Sequence, residues 1–217
     1  MGGFIFSADE ALIEGFRRIA HERNPDFLFA GEALQQQQYK HYSVSYFRIG
    51  KDHIAAQRYI DPDCNIMVAI NGFNDHNSIN LCLLYKYIMS YEPYNFKGRL
   101  DDFPLTIEYG KKVDALRRKY KEYIWDAECR DTIGAKVTVN GKIHQPYSVF
   151  IQPKTGKRAV AIANVDPLKK IDVSLKLDGK SDKLFVASPE KPKAKLFKGK
   201  ISVPPRSVIV IIEGLTK

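Results

Sequence analysis

The sequence predicts two kinds of structure in one chain: a parallel α/β part followed by a small antiparallel β-sandwich. Before about Asp131, short apolar runs alternate with helical patterns, as in sheets built from repeated strand–helix units. After that residue, short strands follow one another with only turn residues between them. We therefore expect an α/β domain over residues 1–131 and a β-sandwich domain over residues 132–217.

The distribution of charge supports the same division. The chain has 217 residues and a formal net charge of +9. Residues 1–145 hold 19 basic and 19 acidic side chains, whereas residues 146–217 hold 15 basic and 6 acidic ones. The whole excess lies in the C-terminal third, and such a shift in composition often accompanies a domain boundary.

The first predicted elements are a helix and a strand. Residues 8–23 place apolar side chains at helical spacing, and Pro25 ends that pattern. The continuous apolar run "DFLFAG" then predicts a buried parallel strand, in which Phe27 and Leu28 are covered on both sides. Glu32 follows directly, so the strand would present a carboxylate at its C-terminal end.

The same succession of strand and helix patterns recurs twice before the predicted boundary at about Asp131. "NIMVAIN" predicts a second buried strand, and "SINLCLLYKY" predicts the helix after it. "IMSYEPYNF" predicts a third strand that is broken at Pro93. A long helix is expected from Pro104 to about Cys129, with the proline in its first turn.

Beyond the boundary the pattern has period two. Asn140-Gly141 is a strong hairpin signal. In "IDVSLKL", apolar and polar side chains alternate, as in a strand with one buried face. Further strands are expected at "YSVFIQ", "KRAVAIAN", "KLFVAS", "KISV" and "SVIVIIE".

Composition excludes several classes of protein. No apolar run approaches the roughly 18 residues of a membrane span, so no membrane association is expected. The N-terminus lacks a basic region and a signal-like apolar run, which favours a cytoplasmic location unless a signal lies further upstream. Cys64, Cys82 and Cys129 are odd in number and widely spaced, as in free thiols rather than disulfides or a zinc site. No metal and no organic cofactor are expected.

The basic sandwich raises the question of nucleic acid. Its lysines are spread over turns and outward strand positions, and aromatic platforms for stacked bases are sparse. A solvated lysine surface explains this composition better, and we expect no nucleic-acid partner. Attraction to an anionic polysaccharide is a weaker alternative.

The order of elements resembles the C-terminal end of a (β/α)8-barrel glycoside hydrolase with its appended β-sandwich. The helix "KKVDALRRKYKEYIWDAE" is similar to the last helix of such barrels, and "YNFKGRLDDFP" to the loop before it. "ISVPPRSVIVIIE" is similar to the closing strand of the accessory domain. The resemblance covers nearly the whole chain and is architectural, without assigning a numbered family.

The resemblance implies a partial barrel. A complete barrel needs about 250 residues for its eight units, whereas only about 130 precede the sandwich here. Those residues suffice for the last three or four units. We therefore expect a fragment of a longer enzyme, inactive alone, that associates with the missing barrel portion or with itself.

The resemblance also implies a site at the C-terminal ends of the strands, where two carboxyl groups would cleave a glycosidic bond with water. Glu32 is the first candidate catalytic residue, and the alternative is a solvated glutamate in the first turn of a helix. Glu92 is the second candidate. It lies beside Tyr91, and aromatic faces suit the C–H faces of a sugar. The alternative is a loop glutamate in an aromatic patch.

A polar cluster after the second strand supplies candidate substrate-binding residues. Asn71, Asp75 and His76 lie in "NGFNDHN", where amide, carboxylate and imidazole groups suit sugar hydroxyls. Tyr91 is added as a stacking residue. Turn chemistry explains the same cluster, because Asp75 is well placed to cap the following helix.

The function predicted from these observations is a piece of a carbohydrate-active hydrolase acting on O-glycosyl bonds, with a carbohydrate as its partner. The substrate sugar, the stereochemistry and the oligomeric state stay open. The alternative is a non-catalytic protein whose sandwich binds a glycan or a partner and whose α/β part is a scaffold.

Overall fold

A computed structural model of the chain describes residues 3–31, 41–46, 53–92 and 98–215. The described residues form a mixed α/β structure with one parallel and two antiparallel sheets. The parallel sheet has four strands, which lie side by side in chain order. They are β1 (Ala30–Gly31), β2 (Val44–Tyr46), β3 (Ile66–Ile70) and β4 (Tyr87–Tyr91). The sequence had predicted all of them except β2.

Five α-helices among the described residues accompany this sheet. They are α1 (Gly3–Arg23), α2 (Gln57–Ile60), α3 (His76–Leu84), α4 (Pro104–Lys119) and α5 (Lys121–Ile124). The single long helix expected up to Cys129 is therefore too long. It is interrupted at Tyr120, whose φ of −113° and ψ of 35° lie outside the helical region.

The buried strand expected at "DFLFAG" is wrong in its first half. Phe27 and Leu28 are 45% and 75% exposed, and only Ala30 and Gly31 pair with β2. The glycine before Glu32 has a packing reason, because the Tyr42 ring lies 2.5 Å from where a Cβ on Gly31 would be. Any larger residue would displace that ring.

Ten strands form the antiparallel part. They are β5 (Glu128–Cys129), β6 (Ala135–Val139), β7 (Lys142–Ile143), β8 (Tyr147–Ile151), β9 (Arg158–Asn164), β10 (Ile171–Leu177), β11 (Leu184–Ser188), β12 (Lys191–Leu196), β13 (Lys200–Val203) and β14 (Ser207–Glu213). One sheet has the order β13-β10-β6-β7, and the other has the order β12-β11-β14-β9-β8-β5. The hairpin at Asn140-Gly141 is confirmed, with φ values of 52° and 77° at its two turn residues.

The central strands β9 and β14 of the six-stranded sheet are buried on both faces. In β9, Val160 and Ile162 belong to the core shared with the four-stranded antiparallel sheet. The intervening Ala159, Ala161 and Ala163 belong to the core shared with α3, α4 and α5. Small side chains on that face let the helices approach closely, so alternation along one strand serves two different partners.

The core under the helices is continuous from the parallel sheet to the antiparallel one. It includes Val68 of β3, Leu83 of α3 and Val210 of β14, all at most 1% exposed. The division near Asp131 thus falls between two sheets that share a set of helices. It stays a prediction as a domain boundary.

The two faces of the parallel sheet differ in burial. Ile66, Val68 and Ile70 turn towards the helices and are almost fully buried. Met67 and Ile88 are paired in the sheet and turn to the opposite face, where both are half-buried. The described residues therefore leave that second face partly open.

Candidate functional site

The residue that best fits a functional carboxylate is Glu92, directly after β4. It is only 5% exposed. Its backbone N–H donates to the carbonyl of Ile70 at 3.0 Å, which extends the pairing of β3 and β4 by one step. Its position is therefore fixed by the sheet, at the C-terminal edge of two adjacent parallel strands.

Two hydroxyl groups hold the Glu92 carboxylate. The Tyr46 hydroxyl donates to it and lies 2.7 Å from both Oε1 and Oε2. The Ser90 hydroxyl donates to Oε1 at 2.8 Å. Tyr46 ends β2 and Ser90 lies in β4, so side chains from two strands contribute to this cluster, which we call the Glu92 cluster.

Alternation explains why these side chains meet. Ser90 and Glu92 are two residues apart on an extended chain and so lie on the same face. Tyr46 pairs with Met67, which pairs with Ile88, and this register places all of them on the half-open face. The Glu92 cluster thus lies on the face of Met67 and Ile88, opposite the face that packs against the helices.

Sequence reasoning missed Tyr46 and Ser90. The spacing of Ser90 and Glu92 was a usable signal, because any strand through residue 92 puts both on one face. The run "YSVSY" has the β-branched and aromatic composition of a strand, and it was overlooked because only one of its residues is aliphatic.

Tyr91 does not join Glu92. Its side chain turns to the helix face, where its hydroxyl lies against Gly110 of α4 and 3.6 Å from the Met89 sulfur. A Cβ at Gly110 would collide with that hydroxyl. Burial raises the pKa of Tyr91 to about 12, so it stays a neutral packing residue at physiological pH.

Asp75 caps α3. Its Oδ1 accepts a hydrogen bond from the Ser78 N–H at 3.3 Å, and Oδ2 accepts one from Gly72 N–H at 3.4 Å. Thr106 of α4 ties the same loop down, since its hydroxyl donates to the Gly72 carbonyl and accepts from the Asp75 N–H. Asn71, at the end of β3, is exposed. A substrate-binding role for both stays a prediction.

His76 faces the antiparallel part. Its ring stacks on Tyr109 with the centroids 3.8 Å apart and the planes 5° from parallel. Burial, followed by the positive charge of Arg206, lowers the pKa of His76 from its ordinary value. These contacts connect α3 to α4 and the loop before β14. The described contacts of His76 are therefore with α4 and the loop before β14, and its binding role stays a prediction.

Glu32, the first catalytic candidate, lies outside the described residues. Its neighbour Gly31 ends β1, and β1 runs parallel to the strands that end in Tyr46 and Tyr91. The C-terminal ends of β1 to β4 therefore lie along one edge of the sheet. The role of Glu32 remains a prediction from the sequence.

The opposite edge of the sheet is stabilised by two buried cations. The Arg58 guanidinium donates to the carbonyls of Pro62, Cys64 and Lys86 at 2.6–2.9 Å. The Lys86 ammonium donates to the Ala127 carbonyl at 2.8 Å, and burial lowers its pKa. These bonds fasten the loop before β3 to the start of β4, so Arg58 has a structural role.

The described part of the chain contains no group of three or more His, Cys, Asp or Glu side chains with metal-binding geometry. None of its helices has the length and apolarity needed to cross a membrane. Cys64, Cys82 and Cys129 are free thiols, and burial raises the pKa of Cys64 and Cys129.

Comparison with known proteins gives structural neighbours only. No protein-family model matches the sequence, and no curated protein matches it. A debranching enzyme from Nostoc punctiforme has a TM-score of 0.48 and 12% identity over 91% of this chain. The α-fucosidase of Thermotoga maritima has a TM-score of 0.41 and 7% identity over 88% of it. A xyloglucanase of glycoside hydrolase family 44 from Paenibacillus polymyxa has a TM-score of 0.37 and 15% identity over 72% of it.

The chain spans only part of each of these proteins. It covers 54% of the debranching enzyme, 46% of the α-fucosidase and 33% of the xyloglucanase. The neighbours are glycoside hydrolases, but identities of 7–15% and TM-scores below 0.5 do not assign a family or an activity.

Proposed function

We propose that this chain is part of a carbohydrate-active glycoside hydrolase and that Glu92 is one of its site carboxylates. The observation that carries the proposal is a buried carboxylate at the C-terminal edge of a parallel sheet, oriented by Tyr46 and Ser90. In barrel enzymes the reacting groups come from that edge, because every strand ends there.

The geometry gives Glu92 a defined chemical use. A carboxylate that is held by two hydroxyl donors cannot rotate freely, so its remaining lone pairs point in a fixed direction. A glycosidic bond placed on the half-open face would meet an oxygen atom suited to proton transfer or to attack at the sugar carbon. Tyr46 would also supply an aromatic edge to the sugar.

The second carboxylate is proposed to be Glu32, with Asn71, Asp75 and His76 nearer the periphery. Support for Glu32 comes from its place in the sequence, one residue after β1. The separation of the two carboxyl groups would decide between retention and inversion, at about 5–5.5 Å or about 6.5–9.5 Å respectively. No cofactor enters this chemistry.

The fold supports a partial barrel with a C-terminal β-sandwich as the finer proposal. Four consecutive parallel strands in the order β1-β2-β3-β4 match the way a (β/α)8 barrel is wound. A closed barrel needs four more, and the half-open face carrying Met67 and Ile88 would become its interior. We propose that further barrel strands, from this gene product or another chain, complete the site.

The test compares Glu92→Gln with Asp101→Asn, a matched loss of one carboxylate at an exposed position. In a protein that contains this sequence together with the other barrel strands, Glu92→Gln should lower kcat on aryl glycosides by about 10²–10⁴-fold. Asp101→Asn should leave kcat within about twofold, since Asp101 is exposed and takes no part in the hydrogen bonds of the Glu92 cluster.

Two results would contradict the proposal. Full activity in Glu92→Gln would remove Glu92 from the site. Hydrolysis by the isolated 217-residue chain at an ordinary enzyme rate of about 1–10³ per second would show that no further strands are needed. We expect the isolated chain to show no turnover.

A further inference from the structure

The antiparallel part contains a cleft that the Glu92 cluster does not use. It has a volume of about 310 Å³ and opens beside the edge strand β12. Val186 and Ile209 from the six-stranded sheet form its floor, together with Ile201 from the four-stranded antiparallel sheet. The cleft therefore reaches into the space between the two sheets, and we call it the β12 cleft.

Three lysines form the rim of the β12 cleft. Lys191, Lys193 and Lys195 all come from β12 and all line the cleft, and the pairing of β12 with β11 shifts register between Lys191 and Lys195. All three are exposed. The result is a cluster of positive charge above an apolar floor.

The acidic side chain at this cleft is already neutralised. Glu190 lines it, and both carboxylate oxygens accept a hydrogen bond from the Lys112 ammonium at 3.0 Å. Within the described ranges, no carboxylate lies within ion-pair distance of Lys191, Lys193 or Lys195. The cleft thus has a net positive field that a bound anion would experience.

Protection of an edge strand explains these lysines only in part. Charged side chains on an edge strand discourage pairing with other chains. In β12, however, the Tyr120 hydroxyl already donates to the Pro192 carbonyl at 2.7 Å and accepts from the Ala194 N–H at 3.0 Å. The middle of the strand is therefore partly blocked without any lysine.

A second cleft extends the same surface. It has a volume of about 1100 Å³, shares Lys193 with the β12 cleft, and is lined by Tyr120, Tyr123 and Phe185. Arg118, Lys119 and Lys121 bring positive charge there, against the negative charge of Glu122 and of Asp126, which is paired with Lys121 at 2.9 Å. Two adjoining clefts with a common lysine suit an extended chain with repeated negative charges better than a single small anion.

We propose that the β12 cleft binds an acidic polysaccharide whose sugars carry carboxylate groups. Lysine supplies a point charge that can approach a carboxylate from several directions, whereas bidentate recognition would need arginine. Apolar floor residues and flanking tyrosines suit the C–H faces of sugar rings. The choice of a glycan over another polyanion rests on the proposed function, but binding at the cleft does not require the Glu92 cluster.

The experiment measures binding of a galacturonate oligosaccharide to the full chain by calorimetry at two salt concentrations. The test variant is Lys191→Gln/Lys193→Gln/Lys195→Gln. The matched control, Lys136→Gln/Lys142→Gln/Lys176→Gln, removes the same charge from exposed positions on the four-stranded antiparallel sheet. The fully methyl-esterified oligosaccharide serves as an uncharged ligand with the same backbone.

We expect the test variant to bind the galacturonate oligosaccharide at least tenfold more weakly than the unmodified chain, with a weaker dependence on salt. The control variant should stay within about twofold, and the methyl ester should not bind measurably. Glu92→Gln should bind as the unmodified chain does, so that failure of hydrolysis and failure of this cleft are distinguishable.

Three results would overturn the proposal. Equal losses in both lysine variants would mean that net charge alone attracts the polyanion. Tighter binding of a single-stranded oligothymidylate that is lost in the test variant would identify a nucleic-acid surface instead. Unchanged galacturonate binding with increased aggregation of the test variant would show that the lysines only protect the edge of the sheet.

Discussion

The parallel and the antiparallel parts of this chain use their apolar residues very differently. In β9 and β14, the residues after the first are buried, because helices cover one face of the six-stranded sheet and the second sheet covers the other. In β4, only Tyr87 is fully buried, and the four residues after it are half-buried. The central antiparallel strands therefore bury their apolar side chains within the chain, whereas β4 of the parallel sheet leaves apolar surface partly exposed.

The difference indicates where each part would meet other molecules. Buried apolar area stabilises a fold by about 25 cal/mol per Å², so a side chain left half-exposed forgoes stabilisation that a partner could supply. The half-open face holds Met67, Ile88 and the Glu92 cluster. If further barrel strands complete the site, the partly exposed apolar side chains on this face are where those strands would pack.

The largest expected effect tests this contrast directly. Ile211→Ala in β14 removes a side chain that is 1% exposed in the core between the two antiparallel sheets. We expect it to lower the free energy of unfolding by about 2–5 kcal/mol, because a buried cavity remains. Urea unfolding followed by circular dichroism measures this change.

Ile88→Ala in β4 is the matched substitution on the half-open face. It should cost less than half as much as Ile211→Ala, since part of the side chain already contacts solvent. Equal costs in the two variants would contradict the contrast between the two parts. They would indicate that the second face of the parallel sheet is covered.

The second prediction concerns an ion pair at the end of β14. Arg158 binds Glu213 through two bonds, from Nε to Oε2 at 2.8 Å and from Nη2 to Oε1 at 2.9 Å. Burial alone would raise the pKa of Glu213, but Arg158 and the N–H of Asp182 hold it below its ordinary value. The pair therefore stabilises the folded state when Glu213 is ionised.

The sign of the pH dependence follows. Because the folded pKa of Glu213 is lowered, its contribution is complete above the ordinary value of 4.5 and is lost as the pH falls through the lowered value. We expect Glu213→Gln to lose about 1.5–3 kcal/mol at pH 7 and to approach the unmodified chain in acid. Glu122→Gln, at an exposed position, is the control, and a constant deficit in Glu213→Gln at all pH values would contradict this account.

The third prediction tests how firmly the two parts are joined. Tyr120, between α4 and α5, binds β12 through the Pro192 carbonyl and the Ala194 N–H. Tyr120→Phe should cost about 0.5–1.5 kcal/mol, since both bonds are lost and both backbone groups can reach water at the edge of the sheet. Differential scanning calorimetry should still show one transition because of the continuous core.

Tyr123→Phe is its control, because the described structure gives the Tyr123 hydroxyl no hydrogen-bond partner. If Tyr120→Phe split the unfolding into two transitions, the helices and the six-stranded sheet would be independent units. That result would favour a domain boundary close to Asp131.

Sequence reasoning succeeded where one periodicity dominates. "NIMVAIN" gave β3 because five consecutive apolar residues fit a strand covered by helices. "IDVSLKL" gave β10 because polar and apolar positions alternate. It failed at "KPKAKL", where lysines hid a strand: β12 lies at the edge of its sheet, so its side chains need no apolar character.

The sequence alone predicts only part of the candidate site, for a related reason. A single sequence indicates which residues follow a strand, but not which hydroxyl groups reach them from neighbouring strands. Glu92 was found as a carboxylate after β4, whereas Tyr46 lies 46 residues away and depends on the register of β2 with β3. Tyr91, chosen for its ring, turned to the other face because adjacent residues in a strand alternate.

The smallest expected effect on stability comes from α1, where the apolar stripe is the most exposed. Leu12, Phe16 and Ile19 are 56%, 53% and 50% exposed, and their spacing places them along one side of the helix. Replacing all three by glutamine keeps good helix formers and should change the free energy of unfolding by no more than about 0.5 kcal/mol per site. A contiguous exposed apolar stripe is typical of a contact surface, so sedimentation velocity should show less self-association in the triple variant. A loss of stability comparable to that of Ile211→Ala would mean that α1 is packed within the chain. The apolar area that the parallel part exposes to solvent would then be much smaller than the exposed fractions of Leu12, Phe16 and Ile19 indicate.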